Sequence, residues 1–236
     1  MTLATLLATS RLLGGKRPHT LASLLVATNP LLVYYGSELA FYSMWSAAGA
    51  LVFALLVKLV MTAGPDGHPW SKASLMLILA STALVAFHFA GLFIWSIIAT
   101  MTLLVLWQTY GFRKAFNYAL VFSIPVLINL PMYIGSMRAP EHIGSKGLEM
   151  EKLGTLLPSL GHYVYQLFPS LTGGWWLGAL LYLVGAMVLL KGDAPKRRVL
   201  WIALAATVSV IPFLSYSILR DYMPTVARYW VCSIAP

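Results

Sequence analysis

Apolar runs close to bilayer-crossing length recur from one end of this chain to the other, and no other feature constrains its fold as strongly. A helix needs about 20 mainly apolar residues to cross the hydrocarbon layer. By run length, spans fall at 2–13 (short), 19–35, 39–62, 73–91, 92–110, 116–134, 174–191 and 199–219. Backbone groups in lipid must be satisfied within their own segment, so each span is expected to be helical. The runs are continuously apolar and do not alternate with period two, which disfavours a β-barrel. The expected fold class is therefore all-α: a polytopic helical membrane protein with about eight membrane segments, forming a single transmembrane domain over 1–236.

Composition agrees. Hydrophobic residues make up 59% of the chain and charged residues 10%, where a soluble domain carries roughly 25% charged. The single cysteine, Cys232, excludes an internal disulfide framework. The apolar run Leu3–Leu13 precedes Lys16 and Arg17, the reverse of a secretory signal's order.

Charge sets the orientation. Eleven of the 16 basic residues and two of the 7 acids lie on or beside the connections 14–18, 63–72, 111–115 and 192–198. That face carries the whole net charge of +9, and the other face balances, five against five. Lys and Arg gather in cytoplasmic loops, so this face is expected inside. Basic loops lying against anionic lipid explain the net charge better than nucleic acid does, and no nucleic-acid motif is present. The long connection 135–173 then lies outside. Its latter part, 160–171, is amphipathic and aromatic, and reads either as an interfacial helix or as an aromatic belt before the next span.

Ionisable groups at membrane depth are functional candidates by default. Glu38 stands between two apolar runs in Asn29-Pro30-Leu31-Leu32-Val33-Tyr34-Tyr35-Gly36-Ser37-Glu38-Leu39-Ala40-Phe41-Tyr42. Ser37 and Glu38 could simply start the helix, as N-cap and dipole partner. His88 lies near the outer end of the fourth span and could instead satisfy a neighbouring carbonyl. The hairpin through 63–72 brings both to similar height, where they could share a proton, hold a divalent metal or bind a polar ligand. Arg220 and Arg228 follow the last span on the same side. Arginine's planar fork suits phosphate, although Arg220 could snorkel to the interface. Pro125, Pro131 and Pro212 are expected to kink their helices, and Asn117 and Asn129 to pair them.

Taken together, these residues resemble a family. The pattern Asn-Pro-x-x-x-Tyr-Tyr-x-x-Glu-x-x-x-Tyr, a span, a cytoplasmic loop and a span ending in Phe-His-Phe-Ala-Gly is similar to the GT-C membrane glycosyltransferases. The branch is that of protein O-mannosyltransferases and aminoarabinose transferases (family 39/83-like). Pro30, Glu38, Tyr42, His88, Arg228 and Tyr229 match its short motifs, and Ala40 stands where that pattern has arginine. The resemblance implies transfer of a sugar from a polyprenyl-phosphate-linked donor to a lipid, glycan or protein acceptor at the extracytoplasmic face. It also implies donor-phosphate binding by Arg228 and Arg220, and a polar site of Glu38, His88, Tyr42 and Tyr229, with or without a divalent metal on Glu38 and His88. The family's catalytic base sits on an acidic outer loop after its first span. No such loop is seen here, so the chain is expected to be an internal fragment of a larger enzyme. A transporter or flippase for a lipid-linked or small polar solute would use the same polar groups, and a membrane scaffold would use none.

Overall fold

The computed structural model describes residues 41–62, 68–87, 89–138, 153–172, 175–209, 211, 212 and 215. Seven helices are described: α1 (Phe41–Thr62), α2 (Lys72–Phe87), α3 (Phe89–Tyr110), α4 (Phe112–Arg138), α5 (Leu153–Thr172), α6 (Trp175–Lys191) and α7 (Ala194–Val208). No strand occurs among the described residues, so the all-α expectation holds. Among the described residues two segments, Ala90–Tyr110 and Phe112–Ile134, are long and apolar enough to cross a membrane; Ala47–Met61 and Lys72–Phe87 are apolar but shorter. The expected spans 2–13 and 19–35 lie outside the described residues.

The core is built by α1–α4 and α7. Trp45, Leu56, Leu84, Ile94, Trp95, Leu106 and Ile202 are fully enclosed at its centre. α3 buries Ile94, Trp95, Ile98, Ala99, Thr102, Val105 and Leu106, steps of three or four that hold one face against its neighbours. Outward faces are apolar too: Leu75, Met76 and Leu79 on α2, Leu120, Leu127 and Ile128 on α4, and Leu183, Met187 and Val188 on α6. A helix apolar all round suits hydrocarbon or a large core, and these faces look outward. α6 packs on α7 and α5 on α6, beside the main core.

Hydroxyls within the helices are mostly satisfied locally. Ser81 donates to the Leu77 carbonyl (2.6 Å), Thr102 to Ile98 (2.8 Å), Thr109 to Val105 (2.7 Å) and Thr207 to Ala203 (3.0 Å). Each returns a polar group to its own helix.

Three connections are tighter than their composition suggests. The expected loop 111–115 shrinks to Gly111, whose φ of +86° ends α3 and lets α4 restart at once. Its N–H donates to the Trp107 carbonyl (2.9 Å), and its own carbonyl accepts from Ala115 (3.3 Å). A left-handed glycine closes a helix without a Cβ penalty. The expected loop 192–198 shrinks to Gly192-Asp193: Asp193 is the N-cap of α7 and Pro195 sits in its first turn, where a missing N–H costs nothing. The third concerns the spans read as 73–91 and 92–110. α2 instead ends at Phe87 and α3 begins at Phe89, because Gly91 folds back on α2 so closely that a Cβ there would strike the Leu84 carbonyl. The continuous apolar run conceals that reversal.

The long connection is also partly helical. α4 runs on to Arg138, and α5 covers Leu153–Thr172, longer than the expected 160–171. Leu157, Pro158, Gly161, His162 and Tyr165 form its exposed face, while Leu156, Ser159 and Leu160 are partly covered.

Candidate functional site

The antiparallel hairpin α1–α2 is pinned near its open end. Trp45 Nε1 donates to the Leu84 carbonyl at 3.1 Å, both residues buried. Phe41, the first residue of α1, is four positions beyond Trp45, and Phe87, the last of α2, is three beyond Leu84. At 1.5 Å per residue both helix ends lie within about 6 Å of the level of that bond.

Two further side chains reach the same end of α2. Tyr133 Oη donates to the Val85 carbonyl (2.6 Å), and Asn129 Nδ2 to the Thr82 carbonyl (3.3 Å) and to Pro125 in its own helix (2.8 Å). The last four carbonyls of a helix have no intrahelical partner. Here Leu84 and Val85, two of those four, are capped by donors from α1 and α4. Asn129 thus pairs helices as its type and depth suggest, whereas Asn117 is exposed. Thr82 Oγ1 is buried without a hydrogen-bond partner among the described residues. Trp95 Nε1 donates to the Phe122 carbonyl (3.0 Å), in the turn that Pro125 weakens.

Of the residues singled out from sequence, Glu38, His88, Arg220, Arg228 and Tyr229 lie outside the described residues. Tyr42 falls in the first turn of α1, its side chain likewise outside them. His88 is the one position between α2 and α3, and Glu38 precedes α1 by three residues. Among the described residues no three His, Cys, Asp or Glu side chains gather as metal ligands would. The pair named for a metal, Glu38 and His88, lies outside them.

The opposite end of the bundle carries a cluster that sequence reasoning did not assemble. Tyr110, the last residue of α3, accepts a hydrogen bond at its hydroxyl from Arg198 Nη1 (3.1 Å). Lys114 Nζ stands 4.5 Å from the Tyr110 ring centre and the Arg198 guanidinium 5.5 Å from it. Cation–π attraction holds both cations at one ring. α4 and α7 therefore start at the same end, as the alternating helix directions require, and the basic connections gather there. Exposed aromatic rings stand beside the Gly111 turn, where Trp107 packs against Phe112 and Phe112 on Phe116. A step of i+4 across Gly111 separates Tyr110 from Lys114, but Arg198 is 88 positions away, and no local pattern announces that pairing.

Comparisons of the chain with known protein families, with curated proteins and with solved structures return no match.

Proposed function

We propose that the chain is a multi-pass, plasma- or inner-membrane domain that binds a polyprenyl-phosphate-linked sugar at its extracytoplasmic end and serves GT-C-type glycosyl transfer. The basic end, with its short connections and exposed aromatic rings, is cytoplasmic. Charge bias supports that orientation. α5 then lies on the outer side at headgroup depth, where an amphipathic, aromatic helix is stable.

One observation supports the site most directly: the Trp45–Leu84 bond puts the start of α1 and the end of α2 at one level. Glu38 is tethered three residues before the former and His88 one residue after the latter. Three extended residues span at most about 11 Å, so a shared polar cavity is within reach of both. In this reading Arg228, with Arg220 second, takes the donor phosphate, and Tyr42 and Tyr229 border it. Glu38 and His88 order the phosphate directly or through a divalent cation. The acceptor oxygen attacks the anomeric carbon, the bond from that carbon to the phosphate oxygen breaks, and the polyprenyl phosphate leaves with the electron pair. The acceptor's proton passes to a base outside the residues named here. Cations at the leaving phosphate stabilise the charge that develops on it.

The test uses the purified chain in nanodiscs and a radiolabelled polyprenyl-phosphate sugar. Saturable binding that weakens in Arg228→Ala and in Glu38→Gln supports the reading, and EDTA separates direct from metal-mediated binding. In proteoliposomes, movement of intact donor between leaflets would instead favour a transporter or flippase. Absence of any donor binding would sink both.

A further inference from the structure

We infer that the Tyr110–Lys114–Arg198 cluster is a binding site for the phosphate of an anionic phospholipid in the cytoplasmic leaflet, with its acyl chains lying along Trp107, Phe112 and Phe116. The site is at the opposite end of the bundle from the proposed donor site and does not depend on it.

Three observations converge. First, two cations from separate helices are brought to one ring: Lys114 from α4 at 4.5 Å and Arg198 from α7 at 5.5 Å from its centre. They are therefore no more than about 10 Å apart, and they repel. An anion between them reverses the sign of that interaction. Arg198 is further fixed by its bond to the Tyr110 hydroxyl, so its guanidinium is held ready to form two parallel bonds to phosphate oxygens. Both cations are partly buried, while the neighbouring Arg113 and Arg197 are exposed and add to the local potential. Second, Asp193, the sole carboxylate among the described residues, stands 3.9 Å from Lys196, so the described charge at this end is strongly positive.

Third, an apolar surface stands at the same end of the bundle as the cations, on the outward face of α4. Trp107 packs edge-on against Phe112 (6.2 Å between ring centres), and Phe112 stacks on Phe116 (6.0 Å). These rings are 52%, 67% and 53% exposed. They lie at the ends of α3 and α4, the two helices long enough to cross a bilayer. A free phosphate would use the cations and leave the rings in contact with water. A phospholipid uses both, and its headgroup and chains fall at the depths where cations and rings stand.

The test measures affinity of the purified chain, in a neutral detergent, for fluorescent phosphatidylglycerol and phosphatidylcholine. Phosphatidylglycerol should bind more tightly. Lys114→Gln with Arg198→Gln should weaken it about tenfold or more, each cation contributing near the surface as basic residues do. Lys72→Gln with Lys191→Gln removes the same charge from the same end and should change affinity less than twofold. Arg198→Lys keeps the charge but loses the fork, and should fall between wild type and the double variant. Size-exclusion profiles and far-UV circular dichroism establish that each variant is folded. Equal losses in the two double variants would reduce the site to diffuse surface charge. Displacement by soluble glycerol phosphate as effectively as by the lipid would overturn the lipid assignment.

Discussion

Trp45 and Leu84, 39 positions apart, meet through an indole N–H and a backbone carbonyl at 3.1 Å, and this bond fixes the register of the α1–α2 hairpin. The carbonyl belongs to the last turn of α2, so no helical N–H can replace the indole. Trp45→Phe keeps most of the buried ring and removes the donor. A buried acceptor left without a partner costs about 1–3 kcal/mol in water-soluble proteins, and membrane-embedded bonds average lower, at about 0.6 kcal/mol. We expect Trp45→Phe to destabilise by about 1 kcal/mol in SDS unfolding titrations, with helix content unchanged. A neutral result would show that the bond does not set the register.

Two glycines should respond differently to the same methyl group. At Gly91 the added Cβ strikes the Leu84 carbonyl, a backbone atom that moves only if the α2–α3 reversal opens. Overpacking of this kind costs about 1–3 kcal/mol, and Gly91→Ala should sit at the upper end. At Gly111 there is open space, but φ is +86°. Gly111→Ala should cost about 1–2 kcal/mol, the left-handed penalty. Gly111→Asn should recover part of that, since Asn enters this region more readily, whereas Gly91→Asn should be no better than Gly91→Ala. Thermal denaturation of the four variants in one detergent decides it.

These two glycines also mark how far the sequence is legible. The helical class of the apolar runs between 41 and 208 follows from their composition and length, while only two of the described segments, Ala90–Tyr110 and Phe112–Ile134, are long and apolar enough to cross a membrane. The reversals at Gly111 and at 88–91 do not follow, because they are tertiary: a one-residue turn is set by what the helices pack against, and Gly91 looks like any small residue in an apolar run. The same holds for Tyr110 with Arg198, two residues ordinary at helix ends that become a cluster only when α3 and α7 pack together. Asn129 was readable, since a buried amide must find a partner, but its partner, the Thr82 carbonyl, was not. Glu38, His88 and Arg228 stand out in the sequence as ionisable groups in or beside apolar runs. Their mutual geometry depends on segments outside the described residues.

Sidedness gives an independent prediction. In a Cys232→Ser background, Lys72→Cys and Lys191→Cys place thiols at exposed positions of the basic end, and Leu157→Cys places one on α5 at a position 80% exposed. A membrane-impermeant maleimide applied to intact cells should label Leu157→Cys and spare the other two, with the pattern reversed in inside-out vesicles. Labelling of all three from one side would break the alternation of helix directions on which the topology rests.

The donor-site proposal predicts a graded series, with binding of a polyprenyl-phosphate sugar as the readout. Arg228→Ala removes a charge-assisted contact to phosphate, worth about 1.5–3 kcal/mol, and should weaken binding by roughly one to two powers of ten. Arg228→Lys keeps the charge but not the fork and should fall between. Arg220→Ala should lose less, because a snorkelling arginine serves the interface as much as the ligand. Glu38→Gln and His88→Ala separate the two ways of ordering the phosphate. If a divalent cation bridges them, EDTA should weaken wild type to the level of the variants and leave the variants unmoved. If they order the phosphate directly, EDTA should change nothing. Tyr42→Phe, in the first turn of α1 and four positions after Glu38 in sequence, should cost a single hydrogen bond, a fewfold change. Should all these variants bind the donor as wild type does, the phosphate site lies elsewhere, and the hairpin end defined by Trp45 and Leu84 is only a packing device.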